Sequence, residues 1–315
     1  MESVRVSICL PTWQGAADLQ RLLPVLRSQR VDGGVELVAI DSDSTDGTRE
    51  LLLAHGVRVE RIAQRDFGHG RTRNALAHMA CGQVLVYLSQ DALPQGADFV
   101  ARLVRRLTEP RVAAVTARIL PPEHADPLTR RAVLDAPQAG ALSQHYAWLG
   151  DGSRAGLCHL NPGERAARVG FDNVAAAYKG AVLRSLPFPD VSFGEDAAWA
   201  ELALRAGHEL VFEPEAVVQH AHQYSPKAAW ARWRTDAAFQ RTHLGRRVRP
   251  TLWSALKGYG YELRRDWAYL QGAELWRYLP QAMILRGAQV GGAWAGSRGR
   301  IGPSSMASSV GTGAQ

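Results

Sequence analysis

Cysteine is scarce in this chain of 315 residues, and the three present, Cys9, Cys81 and Cys158, are far apart and odd in number. They form neither a disulfide framework nor a zinc-binding pattern, which points to a reducing compartment. Long apolar runs are missing too. The best late candidate, 279–295, is broken by Arg286 and several glycines, so no bilayer-spanning segment is expected. No charged-then-apolar leader precedes Val6, so no secretion signal is expected either. Absent as well is a basic, Gly-rich loop directly after the first apolar run. Pro11-Thr12-Trp13-Gln14-Gly15 carries no Lys or Arg, which disfavours the phosphate cradle that nucleotidyl transfer to a sugar phosphate would want.

Apolar residues make up 46% of the chain and charged residues 21%, a balance that excludes disorder throughout. The net charge of +7 is concentrated late. Residues 226–300 hold 14 Lys and Arg against four Asp and Glu, so the remainder of the chain is slightly acidic. Two regions with different tasks follow from that asymmetry.

Alternating strand and helix patterns fill the first region. Val4–Leu10, Val35–Ile40, Val57–Ile62 and Val84–Leu88 read as strands. Between them, Leu19, Leu22, Leu23 and Leu26 form one helical stripe, and shorter helices are expected at Thr48–His55 and Arg71–Ala80. That rhythm implies an α/β fold with a mostly parallel, Rossmann-like sheet and helices on both faces. A helix near Ala97–Leu107 and a strand at Val112–Ile119 follow. Residues 120–170 lack a clear period and are expected to form loops and a helix over the active face. Glu195-Asp196 opens another helix, and two short strands are expected around Pro214, at 208–212 and 216–220.

Ligands in such sheets bind beyond the carboxyl ends of the strands. Four ends then converge, carrying Pro11-Thr12, Asp41, Asp91 and the helix start Glu195-Asp196. Each has a plainer reading alone. Asp91 could cap a turn, Asp41 could order its loop, and paired acids suit a helix N-terminus.

Together the strings resemble the family-two glycosyltransferases, which have the GT-A fold. Ser7-Ile8-Cys9-Leu10-Pro11-Thr12, Asp41-Ser42-Asp43-Ser44-Thr45-Asp46-Gly47-Thr48, Gly70-Arg71-Thr72-Arg73-Asn74, Ser89-Gln90-Asp91-Ala92, Gly194-Glu195-Asp196 and His220-Ala221-His222 carry the resemblance over roughly 4–240. The details are most similar to the bacterial rhamnosyltransferase branch. That resemblance implies an inverting transferase moving a sugar, L-rhamnose from dTDP-rhamnose as the best guess, to a saccharide hydroxyl of surface polysaccharide. It assigns the donor nucleotide to Pro11, Thr12, Asp41, Arg71, Arg73, Gln90 and Asp91. Asp196 becomes the general base and Glu195 its orienting partner. A divalent cation is expected on Asp91, but Ser89 stands where the family has its first acid. His220 or His222 would then supply a second ligand, a set that suits Mn²⁺ better than Mg²⁺. Asp43 and Asp46 read as turn formers and Trp199 as core. A nucleotide-sugar-binding scaffold without turnover is the non-enzyme rival, and retention of Glu195-Asp196 argues against it.

The three expected regions are a catalytic domain over 1–225, a basic aromatic helical extension over 226–296 and a disordered tail over 297–315. The extension holds six of the nine tryptophans interleaved with arginines. Membrane surface and homo-oligomer contact both remain open for it, and nucleic acid is not expected. The acceptor is a saccharide, free or lipid-linked. The expected location is cytoplasmic, with peripheral contact at the inner face of the membrane as one reading of the extension.

Overall fold

Continuous apolar runs become the central strands in a computed structural model of the chain, which describes residues 5–146 and 160–299. Strands β1 (Val6–Thr12), β2 (Val35–Asp41) and β4 (Val84–Leu88) are buried along most of their length, while β3 (Arg58–Arg61) is polar and lies at one edge. The sheet runs β3-β2-β1-β4-β8-β6-β9-β5, where β5 is Leu93–Pro94, β6 Val112–Leu120, β8 Ala175–Lys179 and β9 Glu209–Gln219; β7 (Gln144–Tyr146) also pairs with β9. The first four strands pair in parallel, as expected. Beyond β4 the sheet turns mixed, because β8 enters antiparallel between β4 and β6. Nothing in the residue pattern signals this reversal, since Ala175–Lys179 is short and lies downstream of the segment without period.

Directions follow from the pairings. β6 runs with β4, and β9 runs parallel to β6, so the carboxyl ends of β1, β2, β4, β6 and β9 share one edge with the start of β8. The two short strands expected around Pro214 are one strand, β9. Its register against β6 jumps from Glu213 to Val217, and Pro214 falls in that irregularity, where a missing N–H is tolerated. Leu19, Leu22, Leu23 and Leu26 of α1 (Ala16–Arg27) pack into the core beneath β1 and β2 with residues such as Ile8, Leu10 and Val86. The shorter helices are α2 (Thr48–Ala54), α3 (His69–Met79), α4 (Phe99–Arg106), α5 (Pro127–Leu134), α6 (Pro162–Arg168) and α7 (Gly180–Ser185).

The chain divides into two compact units. The first holds the sheet; the second begins at His222 and also takes in His124–Ala132 and Leu160–Arg168. It opens a few residues before the 225/226 boundary suggested by composition, and it recruits part of the stretch assigned to loops over the active face. Residues 147–159 of that stretch lie outside the described residues, as do residues 300–315 of the expected tail, whereas Ser297 is still helical.

Helices α9 (Pro226–His243), α10 (Leu252–Tyr269) and α11 (Ala273–Ser297) make up most of the second unit. Ser225 accepts from the Ala228 N–H at the start of α9, followed by Pro226, and Thr251 with Ser254 caps α10 reciprocally. Its interior is charged as well as apolar. Asp266 is fully buried and accepts two bonds from Arg286 at 2.8 and 2.9 Å, with Arg131 of α5 at 2.8 Å on the same carboxylate. Each buried charge is therefore paired.

Candidate active site

The loop after β2 is built by its own acids. Asp41, buried at the strand end, accepts from the Ser44 hydroxyl at 2.6 Å and the Ser44 N–H at 3.0 Å. Thr12 lies across from it, 3.3 Å from an Asp41 carboxylate oxygen, so the ends of β1 and β2 are tied together. Asp46 accepts from the Ala16 N–H at 3.0 Å and from Thr48, fixing the starts of α1 and α2 at once. Asp43 pairs with Arg61. Asp43 and Asp46 thus do the work of turn formers, as the spacing suggested.

Gln90 has a role that its position in the motif did not reveal. Its side-chain carbonyl accepts from the Trp13 N–H at 2.9 Å and its amide donates to the Trp13 carbonyl at 3.0 Å. It therefore clamps the turn after β1, and a Cβ on Gly15 would lie 2.4 Å from its oxygen. One residue on, Asp91 Oδ2 lies 3.4 Å from His220 Nε2, where β9 ends. His220 and His222 stand two positions apart, the spacing that places side chains on one face of an extended segment, so the expectation that only one of them could be a ligand does not hold. Asp91, His220 and His222 each offer one ligand atom, and these lie within 4.8 Å of one another. One carboxylate oxygen and two imidazole nitrogens fit a borderline cation such as Mn²⁺ better than Mg²⁺.

The acids of α8 (Glu195–Arg205) have opposite surroundings. Gly194 precedes them with φ 73°, a left-handed conformation that Gly adopts without a Cβ penalty. Glu195 is buried, accepting from Arg73 at 2.6 Å and from the Asn173 side chain at 3.4 Å. Arg73, expected at the donor phosphates, sits here in a buried ion pair. Arg71, in contrast, is exposed beside Asp190 at 3.3 Å, and of the two it is the arginine free to reach a solvent-borne anion. Asp196 accepts from the Ala197 N–H at 2.8 Å and the Asn173 N–H at 3.3 Å. Burial pushes its carboxyl up to about 7, aided by the negative charges of Glu195 and Asp172 and opposed by the Ala197 N–H and Arg73.

Asn173 joins these parts, and it drew no notice in the sequence. It immediately precedes Val174, whose carbonyl accepts from the Ser89 N–H at 2.9 Å. Asp196 is thereby held at the same sheet edge as the Ser89-Gln90-Asp91 turn. A polar residue directly ahead of the apolar run Ala175–Tyr178 was the available signal. Trp199 is core, as read: it is fully buried among Tyr178, Phe171 and Phe188, and its indole N–H donates to the Leu186 carbonyl at 2.7 Å.

Solved structures share this architecture. A mannosyltransferase from Pyrobaculum calidifontis in complex with GDP-Man and Mn²⁺ matches 94% of this chain and 74% of its own at a TM-score of 0.53 and 18% identity. The S. aureus protein TarS 1-349 in complex with UDP-GlcNAc matches 91% of this chain and 90% of its own, at a TM-score of 0.53 and 15% identity. The shared fold is the GT-A architecture, and together with the family-model and relative matches it makes the chain a glycosyltransferase. Residues 7–150 match the family model described as Glycosyl transferase family 2. It is similar to the O-antigen chain rhamnosyltransferase RfbN of Salmonella typhimurium, with 28% identity over 240 residues, 75% of this chain and 72% of the relative. A second relative, the O-antigen chain rhamnosyltransferase WbaN of Salmonella anatum, is 29% identical over 209 residues, 65% of this chain and 62% of its own.

Proposed function

We propose that this enzyme transfers L-rhamnose from dTDP-rhamnose, with inversion, to a saccharide hydroxyl during synthesis of a bacterial surface polysaccharide. The carrying observation is Asp196, a carboxylate at a helix start whose affinity for protons is raised to about 7. A general base works best with a pKa near the operating pH. Asp196 takes the proton of the acceptor hydroxyl as that oxygen attacks the anomeric carbon, and the diphosphate leaves from the opposite face. Glu195, neutralised by Arg73, holds the N-terminus of α8 in place and keeps Asp196 poised. Pro11, Thr12 and Asp41 line the nucleotide base, and Arg71 approaches the phosphates. Asp91, His220 and His222 would hold a divalent cation, which when bound neutralises charge on the departing diphosphate. The sugar and the acceptor rest on similarity to the two rhamnosyltransferases.

The test is turnover of a panel of dTDP-, UDP- and GDP-sugars with Mn²⁺, followed by Asp196→Asn. The expected result is turnover of a dTDP-sugar, lowered at least about a hundredfold by the substitution, as is common when a general base is lost. Donor affinity should stay within about threefold. Equal loss of binding and turnover would reassign Asp196 to holding the donor, and no turnover of any donor would favour the scaffold reading.

A further inference from the structure

The second unit presents an apolar face that its own packing leaves uncovered. At about 3.6 residues per turn, Leu252, Leu256 and Trp267 share one face of α10 with Trp253 at its border, and all four are exposed. The buried Ala255, Gly258 and Asp266 occupy an adjoining sector of the helix. On α11, Trp276, Met283 and Ile284 form a matching stripe, with Trp276 74% and Ile284 63% exposed.

The two stripes meet at Tyr259, which donates to the Met283 carbonyl at 3.2 Å; on α10 Tyr259 lies between the buried Asp266 and the exposed Leu252, and Met283 belongs to the α11 stripe itself. The stripes therefore flank one side of the same seam. Single exposed apolar residues are ordinary, but a contiguous patch with three tryptophans marks a docking surface.

Charge selects the occupant. Lys257 lies over the Trp253 ring at 5.3 Å, and Arg264 and Arg277 are exposed beside the same stripes. The acids of these two helices are mostly consumed: Asp266 and Glu262 are held by Arg286 and Arg131, leaving Glu274 exposed. A face that alternates tryptophan with cations and carries almost no free negative charge is complementary to an anionic lipid surface. A second copy of the same face would set its cations against their equals. None of the described helices is long and apolar enough to cross a membrane, so contact would lie in the interface plane.

We infer that the outer face of α10 and α11 docks on an anionic phospholipid bilayer. The rings of Trp253, Trp267 and Trp276 enter the headgroup boundary, and Lys257, Arg264 and Arg277 pair with lipid phosphates. The inference does not depend on the transfer reaction, because vesicle binding needs neither donor nor acceptor.

The test is co-sedimentation of the full chain with phosphatidylcholine vesicles, with and without phosphatidylglycerol. Wild type should sediment with the phosphatidylglycerol vesicles alone, and high salt should release it. The variants W253A/W267A/W276A and K257E/R264E/R277E should each bind at least about tenfold more weakly. Both should keep the wild-type melting temperature, since all six side chains are exposed. Absence of wild-type binding, or wild-type binding by both variants, overturns the inference. A dimer in light scattering that W253A/W267A/W276A dissolves, without vesicle binding, overturns it in favour of self-association.

Discussion

Two neighbouring carboxylates of one helix turn have been given opposite lives. Glu195 is paired with Arg73 in the interior, whereas Asp196 meets backbone N–H groups and other acids and holds its proton up to about 7. The sign of the pH dependence follows. Below that value Asp196 is protonated and cannot accept the hydroxyl proton, so kcat/KM should fall as pH drops from 8 to 5. Glu195→Gln removes a charge that raises the Asp196 pKa, so the acid limb should move to lower pH. The same change strands the Arg73 guanidinium and should lower stability by about 3 kcal/mol in denaturant melts. An unmoved limb would deny Glu195 its influence on Asp196. Stability carries the reverse sign, because the fold retains a proton that the unfolded chain has already released. The contribution of Asp196 is therefore lost as pH rises from the ordinary carboxylate range through about 7.

At the level of elements, the best-read parts were those with local causes. The leucine stripe of α1, the buried runs of β1, β2 and β4, and the Ser225-Pro226 start of α9 are dictated by neighbours within a few positions. The acids at 41 and 91 could be assigned to one edge because strand direction alone says where carboxyl ends lie, whereas Asp196 reaches that edge through Asn173, a contact with no sequence signature of its own. What stayed hidden was set by partners far along the chain. Gln90 clamping Trp13, Arg73 pairing with Glu195 and β8 inserting antiparallel all depend on contacts between distant residues. Another such contact joins α9 and α11. A Cβ on Gly292 would lie 2.3 Å from the Trp230 carbonyl oxygen, and one on Gly296 would lie 2.1 Å from that of Arg234. Backbone cannot yield as a side-chain tip can, so Gly292→Ala should force the helices apart. The expected loss is about 1 to 3 kcal/mol of stability, read by thermal melting and by faster proteolysis within 226–299. An unchanged melt would mean that the helices tolerate greater separation.

For the molecule as a whole, the prediction concerns linkage between ligands and folding. A donor nucleotide that binds only the folded chain raises its melting temperature, by about 2.7 kcal/mol of added stability at a hundredfold excess over Kd. The increment with dTDP should be larger with Mn²⁺ than with EDTA, and His220→Ala should erase the difference between the two. An equal shift in both would take the cation out of donor binding.

The Arg73–Glu195 pair has a consequence for how the protein is made. Its partners are separated by 122 positions, so at translation speeds of about 5 to 20 residues per second the guanidinium waits many seconds for its counter-charge. Until then, closing the interior around Arg73 would trap an isolated cation. A ribosome-bound chain ending before Glu195 should therefore leave the α3 region open to protease, and it should close only once that acid has emerged from the exit tunnel.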